Sequence, residues 1–119
     1  SHLLLGLALA EMKCGEYAVP GVVHDISDTG IGVLVPHDQG APLIADSRIS
    51  LRFKLPKVRK EIVGHGFVRR IDTVAGKVIA GIEFDFEEED GIPKCQIHIQ
   101  EFIKRRQMEM REQQAAWAK

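Results

Sequence analysis

The chain has 119 residues, with 16 Lys and Arg against 17 Asp and Glu, a formal net charge of −1 and 45% hydrophobic residues. That length and balance fit one globular domain over residues 1–119 and exclude a chain that binds nucleic acid by overall positive charge. Two cysteines, Cys14 and Cys95, stand far apart and at no metal-site spacing from another Cys or His, so neither a disulfide framework nor a metal is expected, and a reducing cytoplasm is.

Taken in chain order, Leu3 to Ala10 (LLLGLALA) is apolar but far too short to cross a bilayer, and it has no basic leader before it, so no membrane insertion is expected. Six strand candidates follow from alternation and β-branched content. They are Leu3 to Lys13, Tyr17 to Ser27, Ile31 to Val35, Arg48 to Leu55, Ile62 to Ile71 and Val78 to Phe86. Arg48 to Leu55 alternates cleanly, with Ile49, Leu51, Phe53 and Leu55 on one face. The breaks between candidates are Gly15, Asp28-Thr29-Gly30, Pro36 to Pro42, Pro56-Lys57 and Thr73 to Lys77, all rich in turn formers. Strands joined by short turns predict a mainly β protein, an antiparallel barrel or sandwich over about residues 3–86.

The last fifth changes character. Residues 94–117 are rich in helix formers and free of Gly and Pro, with Pro93 placed for a first turn and Glu87 to Asp90 upstream of the positive helix end. Cys95, Ile99, Phe102 and Ile103 share one helical face, and beyond them the apolar stripe thins to Met110 and Trp117. The helix is expected to pack on the barrel and then project, leaving a surface for a partner or for oligomerisation.

Charge is unevenly spread. Asp46 to Arg70 carries eight Lys or Arg against two acids, whereas Glu83 to Asp90 carries six acids and no base. Lys57, Arg59 and Lys60 read as a solvated turn.

The stretch VVHDISDTGIGVLV, residues 22–35, places Asp25, Ser27 and Gly30 between two apolar strands. On its own the pattern is good turn chemistry, since Asp and Ser bond their own backbone and Gly closes the turn. The D-x-S-x-x-G pattern at a strand junction also resembles a signature of the PilZ domain. GHGFVRRI and AGIEFDF are similar to later strands of that family. The trailing helix resembles that of bacterial flagellar-brake proteins in which a PilZ domain ends the chain. The resemblance implies a six-stranded antiparallel PilZ-like β-barrel with a C-terminal α-helix. It implies binding of cyclic di-GMP, and action on a protein partner such as the flagellar motor or pilus machinery. Asp25 would accept paired hydrogen bonds from a guanine edge, and Ser27 would offer a hydroxyl to base or phosphate. Gly30 would take positive φ and let the backbone approach the ligand, so that Gly30→Val would impair both binding and folding.

The family's second motif, R-x-x-x-R before the first strand, has no counterpart in SHLLLG, and no Arg precedes Arg48. Either the motif lies upstream in the natural protein, or this is a degenerate member that acts as a nucleotide-free interaction scaffold. Arg70 is a further candidate for the site. Because Arg69 and Arg70 point to opposite faces of a regular strand, at most one of them is expected to reach it. By the same alternation His24 is expected to face away from Asp25.

Two other classes fit less well. No nucleophile elbow, metalloprotease motif or P-loop is present, so an enzyme is not expected. A small nucleic-acid-binding barrel would interleave aromatics with a basic groove, whereas Phe53, Phe67, Phe84 and Phe86 stand where core residues are expected.

Overall fold

A computed structural model describes residues 3–4, 8–36, 38, 43–86 and 94–117. The strands are β1 (Leu3–Leu4), β2 (Leu9–Cys14), β3 (Tyr17–Ile26), β4 (Gly30–Pro36), β5 (Arg48–Phe53), β6 (Ile62–Val74) and β7 (Lys77–Asp85), followed by the helix α1 (Lys94–Trp117). Every pairing is antiparallel. The order β3-β2-β5-β6-β7-β4 closes on itself through β3–β4, giving the six-stranded barrel expected. Closure leaves β2 to β7 without a free edge along the paired stretches.

The first predicted strand is divided. Its two parts, β1 and β2, lie along the same edge of β3, with Leu4 opposite Asp25 and Leu9 opposite Val22. The acids at Glu87 to Asp90 and Pro93, read as helix-start signals, lie outside the described residues, as do residues 39–42 of the predicted loop.

Inward residues alternate along each strand and fill the barrel. Met12, Val19, Val23, Ile26, Val33, Val35, Ile49, Leu51 and Val68 are all at most 2% exposed. The clean alternation of β5 is observed as predicted, with Ile49, Leu51 and Phe53 buried and Arg48 and Arg52 exposed. Phe53 and Phe84 are buried too, and Phe86 packs against them. Phe67 is a correction. It faces outward, and the Arg69 guanidinium lies 4.8 Å above its ring. Its neighbours Gly66 and Val68 take the inward positions on β6.

Turns follow from residues that tolerate left-handed backbone. Gly15 (φ 63°) turns β2 into β3, and Ala75 (φ 49°) with Gly76 (φ 76°) turns β6 into β7. Two successive positive φ values define the hairpin turn that matches strand twist.

Helix α1 closes one end of the barrel. Ile99, Phe102 and Ile103 are buried and Cys95 is partly so, as the predicted face required. Cys95 and Ile99 meet Leu51, Phe53, Ile62, Phe84 and Phe86 across a small residual gap. Further along, Asp28 of the β3–β4 turn and Gln100, Ile103, Lys104 and Gln107 of the helix line a cavity of about 250 Å³. Beyond that the helix projects, leaving Met108, Met110 and Trp117 exposed.

Candidate functional site

Two irregularities in the barrel wall create the site. Strand β3 pairs with β4 through Val23↔Val33 and then Asp25↔Gly32, so His24 is an extra residue. Strand β6 pairs with β7 through Val68↔Ile82 and then Arg70↔Gly81, so Arg69 is extra in the same way. A bulge turns two successive side chains to one side of the sheet. It is therefore the bulge that brings Asp25 to the outer face while Val23 and Ile26 both remain buried.

Two expectations fail for this reason. His24 does not face away from Asp25; its Nδ1 lies 3.3 Å from Asp25 Oδ1. Arg69 and Arg70 are not on opposite faces; both line the same cleft as Asp25.

The registers set out a straight row across four strands: Asp25 on β3, Gly32 on β4, Gly81 on β7 and Arg70 on β6. A carboxylate and a guanidinium thus face each other over a floor of two glycines. Glycine at position 32 leaves room for the Asp25 carboxylate as it stands, because a Cβ there would meet Asp25 Oδ1 at 2.0 Å and turn that side chain away. The cleft has a volume of about 360 Å³, and Ser27, Thr29, Gly30, Ile31, Ile79, Ile82 and Glu83 complete its lining. That volume lies in the range of small-ligand sites, and the lining mixes apolar surface with a few polar groups, as such sites do.

Ser27 and Gly30 serve the turn before they serve any ligand. Ser27 is 3% exposed. Its Oγ accepts hydrogen bonds from the N–H groups of Thr29 (3.3 Å) and Gly30 (3.1 Å), while its own N–H donates to the Gly30 carbonyl at 2.8 Å. The expected positive φ at Gly30 is not found; among the described glycines only Gly15 and Gly76 have it. Gly30 is required instead by close approach, since a Cβ there would lie 2.6 Å from the Ile82 carbonyl oxygen of β7.

The charged residues are mutually engaged. Arg69 reaches Asp46 Oδ1 at 3.2 Å and Glu83 Oε1 at 3.5 Å. Partial desolvation works against its charge, but the two carboxylates outweigh that and hold the guanidinium further above its ordinary range. Arg70 Nε lies 3.1 Å from Asp72 Oδ2, with three-quarters of its side chain exposed. Among the described residues no cluster of His, Cys, Asp and Glu is arranged to hold a metal ion.

The family model for the PilZ domain matches residues 7–105. This chain belongs to the PilZ family. No curated protein matches it in sequence. Its fold is similar to that of the Bacillus subtilis inhibitor of motility MotI/DgrA, with 20% identity and a TM-score of 0.67 over 88% of this chain and 49% of that one. It is also similar to Escherichia coli YcgR in complex with c-di-GMP, with 14% identity and a TM-score of 0.76 over 98% of this chain and 48% of that one. The separate PilZ domain of YcgR with c-di-GMP matches at 14% identity and a TM-score of 0.71, over 97% of this chain and 95% of that domain. The chain therefore spans about half the length of MotI and of full-length YcgR. Sequence reasoning named Asp25, Ser27, Gly30 and Arg70 in the PilZ motif and strands. It missed Gly32, Gly81 and Glu83, and it excluded having both arginines together.

Proposed function

We propose that this PilZ chain is a receptor domain for cyclic di-GMP, of the flagellar-brake type. It would act in the cytoplasm by changing the surface offered to a protein partner, such as the flagellar motor or pilus machinery, and it would perform no catalysis. Residues 1–119 would form one such unit. The observation that carries this reading is the row Asp25–Gly32–Gly81–Arg70. A guanine presents N–H groups to a carboxylate, and a phosphate seeks a guanidinium. The row offers one of each over a floor low enough for a flat base. Ser27 and Gly30 shape the rim of this site, and the turn they hold faces α1 through Asp28 on its other side. Ligand and partner surfaces would communicate through that turn as a population shift. The neighbours solved with c-di-GMP support the choice of ligand.

A second reading is favoured by one specific observation: Arg69 and Arg70 are already paired with carboxylates. A degenerate PilZ scaffold without nucleotide would look like this. A sensor whose remaining arginines arrive upstream would too, because the chain enters β1 at the Ile26 end of β3, next to the motif turn.

Calorimetric titration of cyclic di-GMP into the protein decides between them, with the residues natural to the region before Leu3 included. Binding at about micromolar Kd or tighter supports the receptor. Asp25→Ala should then weaken it at least ten- to hundredfold, roughly the worth of a charged hydrogen bond, with thermal unfolding unchanged. Binding that survives Asp25→Ala would place the site elsewhere, and no binding at all would leave the scaffold.

A further inference from the structure

Arg69 is the most constrained charge at the site, and its surroundings are not those of a simple ligand-binding arginine. Its guanidinium lies over Phe67, and its two terminal nitrogens go to different carboxylates, Nη1 to Asp46 and Nη2 to Glu83. Glu83 itself faces the cleft, opposite Gly30 in the β4–β7 register. Arg69 and Glu83 together also line a second cavity with Arg48, Phe67 and Asp85, so the pair forms a wall between the two spaces. The side chains of Arg69 and Glu83 are each about half exposed, and that of Asp46 more so. Exposed ion pairs of this kind are weak and exchange readily.

Resting on the reading of the cleft as an anionic-ligand site, we propose that Glu83 is a charge gate. It occupies Arg69 in the empty protein and yields it to a phosphate of the ligand, so that it sets affinity without touching the bases. The geometry supports a gate over a static brace in two respects. Phe67 holds the guanidinium plane in place from below, so Arg69 can exchange one anion for another without moving its stem. Asp46, on the side of Arg69 away from Gly30 and Gly81, can keep Nη1 while Nη2 changes partner. A phosphate arriving at Nη2 must displace Glu83, and it also meets that carboxylate's repulsion until it does.

The test is a double-mutant cycle in cyclic di-GMP affinity with Glu83→Gln, Arg69→Ala and the pair, measured by calorimetry at low salt. Glu83→Gln is expected to tighten binding about three- to tenfold, the scale of one exposed ion pair. Arg69→Ala is expected to weaken it, and most of the gain from Glu83→Gln should vanish in the Arg69→Ala background. Binding unchanged or weakened by Glu83→Gln overturns the gate. So does a gain that persists undiminished without Arg69, since that would be repulsion alone. A ligand-independent arm separates this from the function itself. Inorganic pyrophosphate is titrated while the Arg69 side-chain N–H resonance is followed by NMR. A response at lower concentration in Glu83→Gln than in the natural protein supports the gate even if cyclic di-GMP binds to neither. No response in either protein overturns it.

Discussion

Two glycines in one strand, Gly30 and Gly32, should respond differently to the same added methyl group. At Gly32 the new Cβ would meet Asp25 Oδ1 at 2.0 Å and Asp25 Cγ at 3.1 Å, so the obstacle is the end of a side chain. Rotating Asp25 away breaks only its contact with the exposed His24. That strain is offset by the roughly 0.4–1 kcal/mol that Gly→Ala contributes by restricting the unfolded chain. Stability of Gly32→Ala should therefore stay within about 1 kcal/mol of the natural protein. The site, however, loses its carboxylate, and cyclic di-GMP affinity should fall about ten- to hundredfold. At Gly30 the obstacle is the Ile82 carbonyl oxygen at 2.6 Å, well inside the 3.4 Å at which ordinary contact begins. That atom belongs to the β7 backbone and cannot rotate away. Gly30→Ala should cost about 1–3 kcal/mol, the range of overpacking. Thermal unfolding and calorimetric titration of both variants make the comparison. Equal destabilisation by the two substitutions would refute the distinction between movable and fixed neighbours. A folded Gly32→Ala protein with natural affinity would refute the placement of Asp25 in the site.

Other outcomes follow from the same structure. Ser27→Ala removes the acceptor of two backbone N–H groups in a buried turn and should cost about 1–3 kcal/mol in denaturant unfolding, so its loss of binding will be inseparable from lost stability. Ala75→Asn should stabilise the β6–β7 hairpin by about 0.5–1 kcal/mol, visible as a higher Tm, because Ala75 sits at φ 49° and Asn tolerates that region better. Burial pushes the Cys14 thiol up from its ordinary value, so less of it is thiolate at pH 8. Its alkylation by iodoacetamide there should be slower than that of a free thiol and should accelerate on unfolding.

The architecture was legible because burial imposes period two on strands and 3.6 on the helix, and Ile49-Leu51-Phe53 and Ile99-Phe102-Ile103 obey those periods. The site was only half legible, because it depends on where the period breaks. Strict alternation places His24 opposite to Asp25 and Arg69 opposite to Arg70. The relevant signal was nonetheless present in Val23-His-Asp-Ile26 and Val68-Arg-Arg-Ile71, where apolar residues stand three apart with two polar ones between. That spacing cannot be met by a regular strand, and in both places the backbone answers with a bulge. Gly30 lines the cleft, but positive φ is not the reason that glycine stands there. Glycine in a motif suggests positive φ, but here it answers crowding by a strand distant in sequence, which no local pattern reveals. Gly32 and Gly81 were passed over for the same cause, since their meaning lies in the side chains of Asp25 and Arg70 across the sheet.

The bulge at His24 gives this stretch an unusual tolerance to sequence change. Replacing His24 alters a half-exposed side chain whose contact with Asp25 is a single 3.3 Å hydrogen bond, and most residue types should be accepted there. Deleting it should be tolerated by the fold as well. With the extra residue gone, Val23, Asp25 and Ile26 fall into ordinary alternation, so Val23 and Ile26 stay inward, Asp25 stays outward, and the pairs Val23↔Val33 and Asp25↔Gly32 are kept. What the deletion would remove is the local bend and added twist of a bulged strand, and with them the aim of Asp25 along the cleft. The barrel can therefore do without the bulge, and a shortened stretch would show its effect on the direction of one carboxylate rather than on folding.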